Sequence, residues 1–156
     1  MIEQFIEIIK IKGYLNPFRN VLPSKEQITE YEEYLNIRLP ESYKKCLESC
    51  SNMSLGGFHL LIPSKTGDYL DIYQALTDVN SLEDFPKNYL PFVFDNADYF
   101  CFNLNKNAPD YEIVYWSHNG QTDEKWTNFD DWVEKCWIDE QENQDNSMLD
   151  DFLKNL

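Results

Sequence analysis

The stretch from Tyr89 to Gly120, YLPFVFDNADYFCFNLNKNAPDYEIVYWSHNG, sets the strongest limit on what this chain can fold into. It is dense in aromatic and β-branched residues and is broken by short polar turns, the pattern of neighbouring antiparallel strands. Phe92 to Phe94, Tyr99 to Leu104 and Glu112 to Trp116 are the three runs, separated by Asp95-Asn96-Ala97-Asp98 and by Asn105 to Tyr111. Strand side chains alternate faces, so Phe100, Phe102 and Leu104 fall on one side and Tyr99, Cys101 and Asn103 on the other. The first set is assigned to the core. In the third run Val114 and Trp116 are assigned inward and Glu112 to solvent. A sheet with an apolar face needs helices over it, so the expected class is α+β: a mainly antiparallel sheet of about five or six strands flanked by N- and C-terminal helices.

The 156 residues, 15% of them aromatic, fit one domain spanning 1–156 with a core that requires no metal or disulfide. Twenty-eight acidic residues against 13 Lys plus Arg give a net charge of -15, which disfavours nucleic acid and anionic membranes and favours a basic protein partner. The charge is unevenly spread: Met1 to Lys65 holds eight acids and eight bases, and Thr66 to Leu156 holds twenty acids and five bases. Cys46, Cys50, Cys101 and Cys136 follow no disulfide or zinc spacing, and MIEQFIEIIK lacks the regions of a signal peptide. The expectation is a cytoplasmic protein with reduced thiols, with no cofactor, no metal and no membrane span.

Along the chain, Ile2, Phe5, Ile6 and Ile9 recur at helical spacing and predict a helix stopping near Gly13. Ser24 and Gln27 form a capping-box pattern ahead of Ile28, Tyr31 and Leu35, and Asn36 ends that helix. Pro40 suits the first turn of a third helix, on which Tyr43, Cys46, Leu47 and Cys50 form one buried stripe. Gly56-Gly57 marks a turn. Phe58 to Ile62 and Tyr69 to Ile72 read as a hairpin pair around Pro63 to Asp68, and Tyr73 to Val79 as a short helix or turn. Asn128 caps a helix carrying Phe129, Trp132, Val133, Cys136 and Trp137, with Asp130 and Asp131 in its first turn. Asp139 to Asn146 reads as a polar linker, and Met148, Leu149, Phe152, Leu153 and Leu156 as a terminal helix, 145–156, that docks on the rest.

Several of these pieces, in this order, resemble the SUKH superfamily, named partly for the fungal Smi/Knr cell-wall regulators. They are Leu39-Pro40-x-x-Tyr43 with Leu47, Gly56-Gly57, Leu90-Pro91-Phe92, Asp95 to Phe102, Val114-x-Trp116-x-His118 and Phe129-x-x-Trp132, spanning about residues 24–137. The chain departs from the family at Asn96-Ala97, where glycines are frequent, and its last helix falls outside the match. The resemblance implies protein binding instead of catalysis. Bacterial members act largely as immunity proteins that neutralise a cognate toxin, often a nuclease; the alternative is a regulatory or scaffold protein of the fungal kind.

A nuclease presents a basic groove to phosphates, which an acidic inhibitor can occupy, with long-range attraction speeding encounter. The expected partner is thus a basic protein, a toxin domain encoded by a neighbouring gene, bound by a monomer or weak dimer. Candidate contact residues are Asp68 and Asp71, Asp95 and Asp98, Asp110 and Glu112, and Asp123 and Glu124 after the last strand. Tyr99, Tyr115 or Trp126 are the candidate aromatic anchors. Against this stands the plainer reading, in which surface carboxylates serve solubility and acids in tight turns bond the backbone. A hydrolase using His118 and a nearby carboxylate ranks last, since no nucleophile sits in a recognisable setting and no catalytic residue is assigned.

Overall fold

The computed structural model describes residues 1–16 and 21–156. Its centre is a five-stranded antiparallel sheet in the order β3 (His59–Leu60), β4 (Tyr89–Asp95), β5 (Asp98–Asn103), β6 (Glu112–Ser117) and β7 (Gly120–Trp126). A second antiparallel pair joins β1 (Tyr14–Leu15) to β2 (Met53–Ser54). The helices are α1 (Ile2–Lys12), α2 (Lys25–Leu35), α3 (Glu41–Cys50), α4 (Ile72–Asn80) and a C-terminal rod. The rod comprises α5 (Phe129–Trp132), a π-helical segment (Val133–Glu140) and α6 (Gln141–Lys154). The class is therefore α+β, as the alternation of strand and helix signals implied.

Local chemistry explains where the early helices begin and end. Ser24 and Gln27 form the reciprocal capping box of α2, and Asn36 closes it in left-handed backbone (φ 53). Pro40 stands just ahead of α3, and Tyr43, Cys46, Leu47 and Cys50 on that helix are fully buried. All four cysteines are free thiols, and the Cys46 and Cys50 sulfurs lie 3.1 Å apart inside the core.

The β4–β5 connection is a two-residue hairpin in which Asn96 (φ 49) and Ala97 (φ 73) both take left-handed backbone. That backbone twist matches the flanking strands. Asparagine tolerates it, whereas the alanine Cβ is strained there. The turn thus keeps, without glycine, the geometry glycine would give.

Over one face of the sheet lie α3, α5 and the π-helical segment, joined through a dense aromatic cluster. Phe92 stacks on Phe102 at 4.5 Å between ring centroids, and Tyr43 and Trp132 meet them edge-on at 4.9 Å. Rings of this size contribute about 1.5–3 kcal/mol each on full burial. The opposite face is covered too, by α4 and by Phe85, whose ring lies 4.9 Å from Trp116. Tyr99 and Cys101 are in consequence as buried as Phe100 and Phe102.

One expectation is refined and five are corrected. Val114 and Trp116 are inward as expected, on the face of Tyr99 and Cys101 with which they pair; Tyr115 and Ile113 are the residues that share the face of Phe100 and Phe102. Leu104 lies beyond the end of β5 and is only half-buried. Phe58 to Ile62 does not form a hairpin with Tyr69 to Ile72: His59 and Leu60 pair with β4, and Ile62 meets Asp71 through a single parallel bridge. A further strand, β7, carries Asp123 and Glu124, which were placed after the last strand, because an edge strand open to solvent carries no apolar alternation. The residues 139–146 are not a linker but helix, and the apolar residues beyond them do not dock: Met148, Leu149, Phe152, Leu153 and Leu156 are all exposed.

No helix among the described residues is long and apolar enough to cross a membrane. Among them, no three His, Cys, Asp or Glu side chains are placed to hold a metal ion.

Candidate functional site

Where the C-terminal rod passes the β7 edge, the helix-covered side of the sheet opens into a cleft of about 370 Å³. Its floor and walls are Phe58, Phe100, Tyr115 and Trp126, and its carboxylates are Asp95, Glu124 and Glu140. Strand parity explains the set. Trp126 pairs with Ile113 and so shares the face of Phe100 and Tyr115, and Glu124, two residues back, lies on the same side of β7. Phe100 is the hub, with ring centroids 4.8 Å from Tyr115, 5.0 Å from Phe58 and 5.6 Å from Trp126. From the rod, Glu140, Gln141 and Gln144 recur at i, i+1 and i+4 and present one face to the cleft.

The rod is held there by one close approach. Gln141 is buried, and its carboxamide oxygen accepts a hydrogen bond from the Gly57 N–H at 3.3 Å. Gly56 takes φ +64, and a Cβ on it would lie 1.7 Å from that oxygen. The turn read from Gly56-Gly57 is therefore also the seat of the rod, which only a residue without a side chain allows. Lys12 at the end of α1 adds an ion pair to Glu142.

Beside the cleft, the two hairpin tips are tied into one polar network. The Tyr115 hydroxyl donates to Asp98 at 2.9 Å and to Asp95 at 3.1 Å. The His118 backbone N–H reaches Asp98 at 2.9 Å, and the His118 ring nitrogen Nδ1 lies 2.6 Å from the same carboxylate. Burial opposes the ionised form of Asp98, but the bonds from His118 and Tyr115 prevail and hold its carboxyl below the ordinary range. Burial, followed by the bond to Asp98 and the charges of Asp95 and Asp98, pushes the Tyr115 phenol well up. This network holds two carboxylates at fixed positions on the rim.

Of the residues singled out in the sequence, the structure brings Asp95, Tyr115, Glu124 and Trp126 together in this cleft, with Asp98 bonded to Tyr115 beside it. Asp123 sits across β7, on the side facing a second cleft of about 440 Å³ that it lines with Asp84 and Lys125. Glu112 pairs with Asn103 at the far end of the sheet, about 17 Å from Asp98 along a strand, and Asp110 precedes it in the exposed loop. Asp68 is a turn residue, accepting from the Leu70 N–H at 2.9 Å and from the Thr66 hydroxyl at 2.7 Å. Asp71 is buried as the N-cap of α4 and accepts from the backbone N–H groups of Lys65, Gly67 and Tyr73. Tyr99 is packed among Phe85, Phe94 and Trp116. Asp71 and Tyr99 thus lie inside the molecule, where neither can meet a partner, because capping and core packing claim the side chains first. Glu140, Gln141, Gln144 and Phe58 were missed. The signal for the first three was their helical spacing, legible only once residues 139–146 are read as helix.

Chemically the cleft suits a cation: aromatic faces and carboxylates both attract guanidinium and ammonium groups. It is poorly equipped for covalent catalysis. The thiol of Cys136, which lines it, is pushed up by burial and then by its bond to Glu140 and the charges of Glu140 and Glu124, so it stays protonated at neutral pH. His118 is half-exposed on a hairpin tip and lines neither cleft.

None of the curated proteins matches the chain. Among solved structures, a protein from Pseudomonas syringae pv. tomato superposes with a TM-score of 0.71 at 23% identity, covering 86% of this chain and 97% of that one, a likeness of fold. A family model described as SMI1-KNR4 cell-wall (SUKH_5) matches residues 2–138, from the start of α1 into the π-helical segment of the rod. The chain belongs to the SUKH (SMI1–KNR4) family.

Proposed function

We propose that this protein is a non-enzymatic immunity protein that binds a basic toxin domain, made from a neighbouring gene, and neutralises it in the cytoplasm of the producing cell. The observation that carries the reading is the cleft itself: Asp95, Glu124 and Glu140 around an aromatic floor, on a chain of net charge -15. A basic partner is drawn in over long range by the net charge, and lysine or arginine side chains on its active groove are then held at the rim and desolvated against Trp126 and Tyr115. Covering that groove removes its access to phosphates. Rim acids outside the cleft contribute mainly to the rate of encounter.

Co-expression with the toxin domain of the adjacent gene tests this. The expected result is survival of the host and co-purification of a complex whose association slows as salt rises. Death of the host with no complex overturns it. The second reading, a regulatory scaffold of the cell-wall-regulator kind, is favoured by the family description and predicts a housekeeping partner bound with little dependence on salt.

A further inference from the structure

Beyond Glu142 the rod leaves the body of the protein, and every residue from Asn143 to Leu156 is exposed. Yet this free half carries Met148, Leu149, Phe152, Leu153 and Leu156, at 71%, 55%, 62%, 55% and 88% exposure. At about 100° per residue the first four share one arc of the helix, and Leu156 follows just past its end. Glu142, paired with Lys12, and Asp145 continue that arc toward the body of the protein, Asp150 and Asp151 stand at its two edges, and the single base of α6, Lys154, lies on the opposite side. A contiguous apolar ridge on a solvent-exposed helix marks a surface meant to be covered.

We infer that the Met148–Leu156 ridge is a docking surface for a cationic amphipathic helix of a protein partner. The acidic frame selects the occupant. Lysines or arginines flanking an apolar stripe would meet Asp145, Asp150 and Asp151 while the two stripes close on each other. A second copy of the chain would set those same three carboxylates against their equivalents on two molecules each carrying -15, and an anionic lipid surface is repelled in the same way. Gln144, in the exposed half of the rod, lines the cleft from beside the ridge, on the Asp151 edge. The ridge lies beyond the residues 2–138 that the family model matches. The inference goes beyond the immunity reading, with which it shares only the positive charge of the partner. Its test uses a synthetic peptide, so either can fail alone.

The full chain is titrated, at physiological ionic strength, into a fluorescent leucine–lysine peptide of about 18 residues that folds as an amphipathic helix, with a leucine–glutamate peptide of the same pattern as control. A Leu149→Ser, Phe152→Ser double variant leaves the charge unchanged, and far-UV circular dichroism confirms that its helix content is kept. The expected result is saturable binding of the lysine peptide, none of the glutamate peptide, and a loss of about tenfold or more in affinity in the double variant. No binding, or equal binding by the variant, overturns the inference, the latter because charge alone would then suffice. So does a dimer in light scattering that the variant dissolves, which makes the occupant a second copy, or association with zwitterionic vesicles that the variant abolishes, which makes it a membrane.

Discussion

The two halves of the C-terminal rod carry similar residues and meet opposite fates. From Phe129 to Gln141 the rod lies on the sheet, with Phe129, Trp132, Val133, Cys136, Trp137 and Ile138 buried; from Asn143 on it is bare, although its apolar spacing is just as regular. The inner half also changes its winding. In the π-helical segment Val133–Glu140 the wider turn brings Val133, Trp137 and Ile138 to the core together. Apolar periodicity therefore announces a face that will be covered, without saying whether the cover is the same chain or another. Here the inner half has α1 and the sheet to lie against, and the rod is bare once it passes Lys12 at the end of α1.

Substitutions can break this contrast. Trp132→Ala in the inner half removes a fully buried ring that touches Phe92 and Phe100, at a cost of about 3–5 kcal/mol, a large share of a domain's stability, and is expected to move the chemical-denaturation midpoint sharply down. At the boundary, Gly56→Ala forces both a strained backbone and a clash with Gln141. It is expected to cost about 1–3 kcal/mol, less in a Gln141→Ala background, where only the backbone strain remains; a double-mutant cycle by thermal denaturation reads the coupling.

Acid sharpens the contrast by acting on one side of it. Because the folded protein holds Asp98 below its ordinary value of 3.8, this carboxylate adds stability above that value, which is lost as pH falls through it and below. Asp98→Asn is expected to lower stability by about 1–2 kcal/mol at pH 7 and by progressively less toward pH 3, measured as denaturation midpoints across that range. The outer half supplies the smallest effect. Phe152→Ala is expected to shift stability by no more than about 0.5 kcal/mol, since its ring is 62% exposed and packs on nothing that folding must keep. A large loss there would show that the ridge is packed in solution.

Much of the fold was legible because it rests on local chemistry. The capping box at Ser24 and Gln27, the buried stripe of α3 and the aromatic strands β4 to β6 each announce themselves within a few residues. The strand β7 was hidden because GQTDEKW is an edge: its order comes from pairing with β6, and solvent on its outer side imposes no pattern. The site was half legible. Asp95, Asp98 and Tyr115 lie on strands whose register follows from the hairpins, so their meeting was within reach. Glu140 was not, since a run of acidic and amide residues reads as linker until the π-helical segment is seen to carry the chain through it. Asp71 and Tyr99 were overcounted for the converse reason: a carboxylate before a helix and a tyrosine in a strand look the same in sequence whether they face a partner or their own chain.

In the proposed complex the carboxylates of the cleft hold the partner, and the negative charge of the chain as a whole only draws it in. The most direct test is calorimetric titration of the toxin domain into the wild type, into a Glu124→Lys, Glu140→Lys variant, and into an Asp110→Lys, Glu112→Lys variant of equal net charge altered at the far end of the sheet. A loss of about a hundredfold or more in affinity is expected for the first variant and less than about tenfold for the second. Equal losses in the two, or an unchanged affinity in the first, would contradict it.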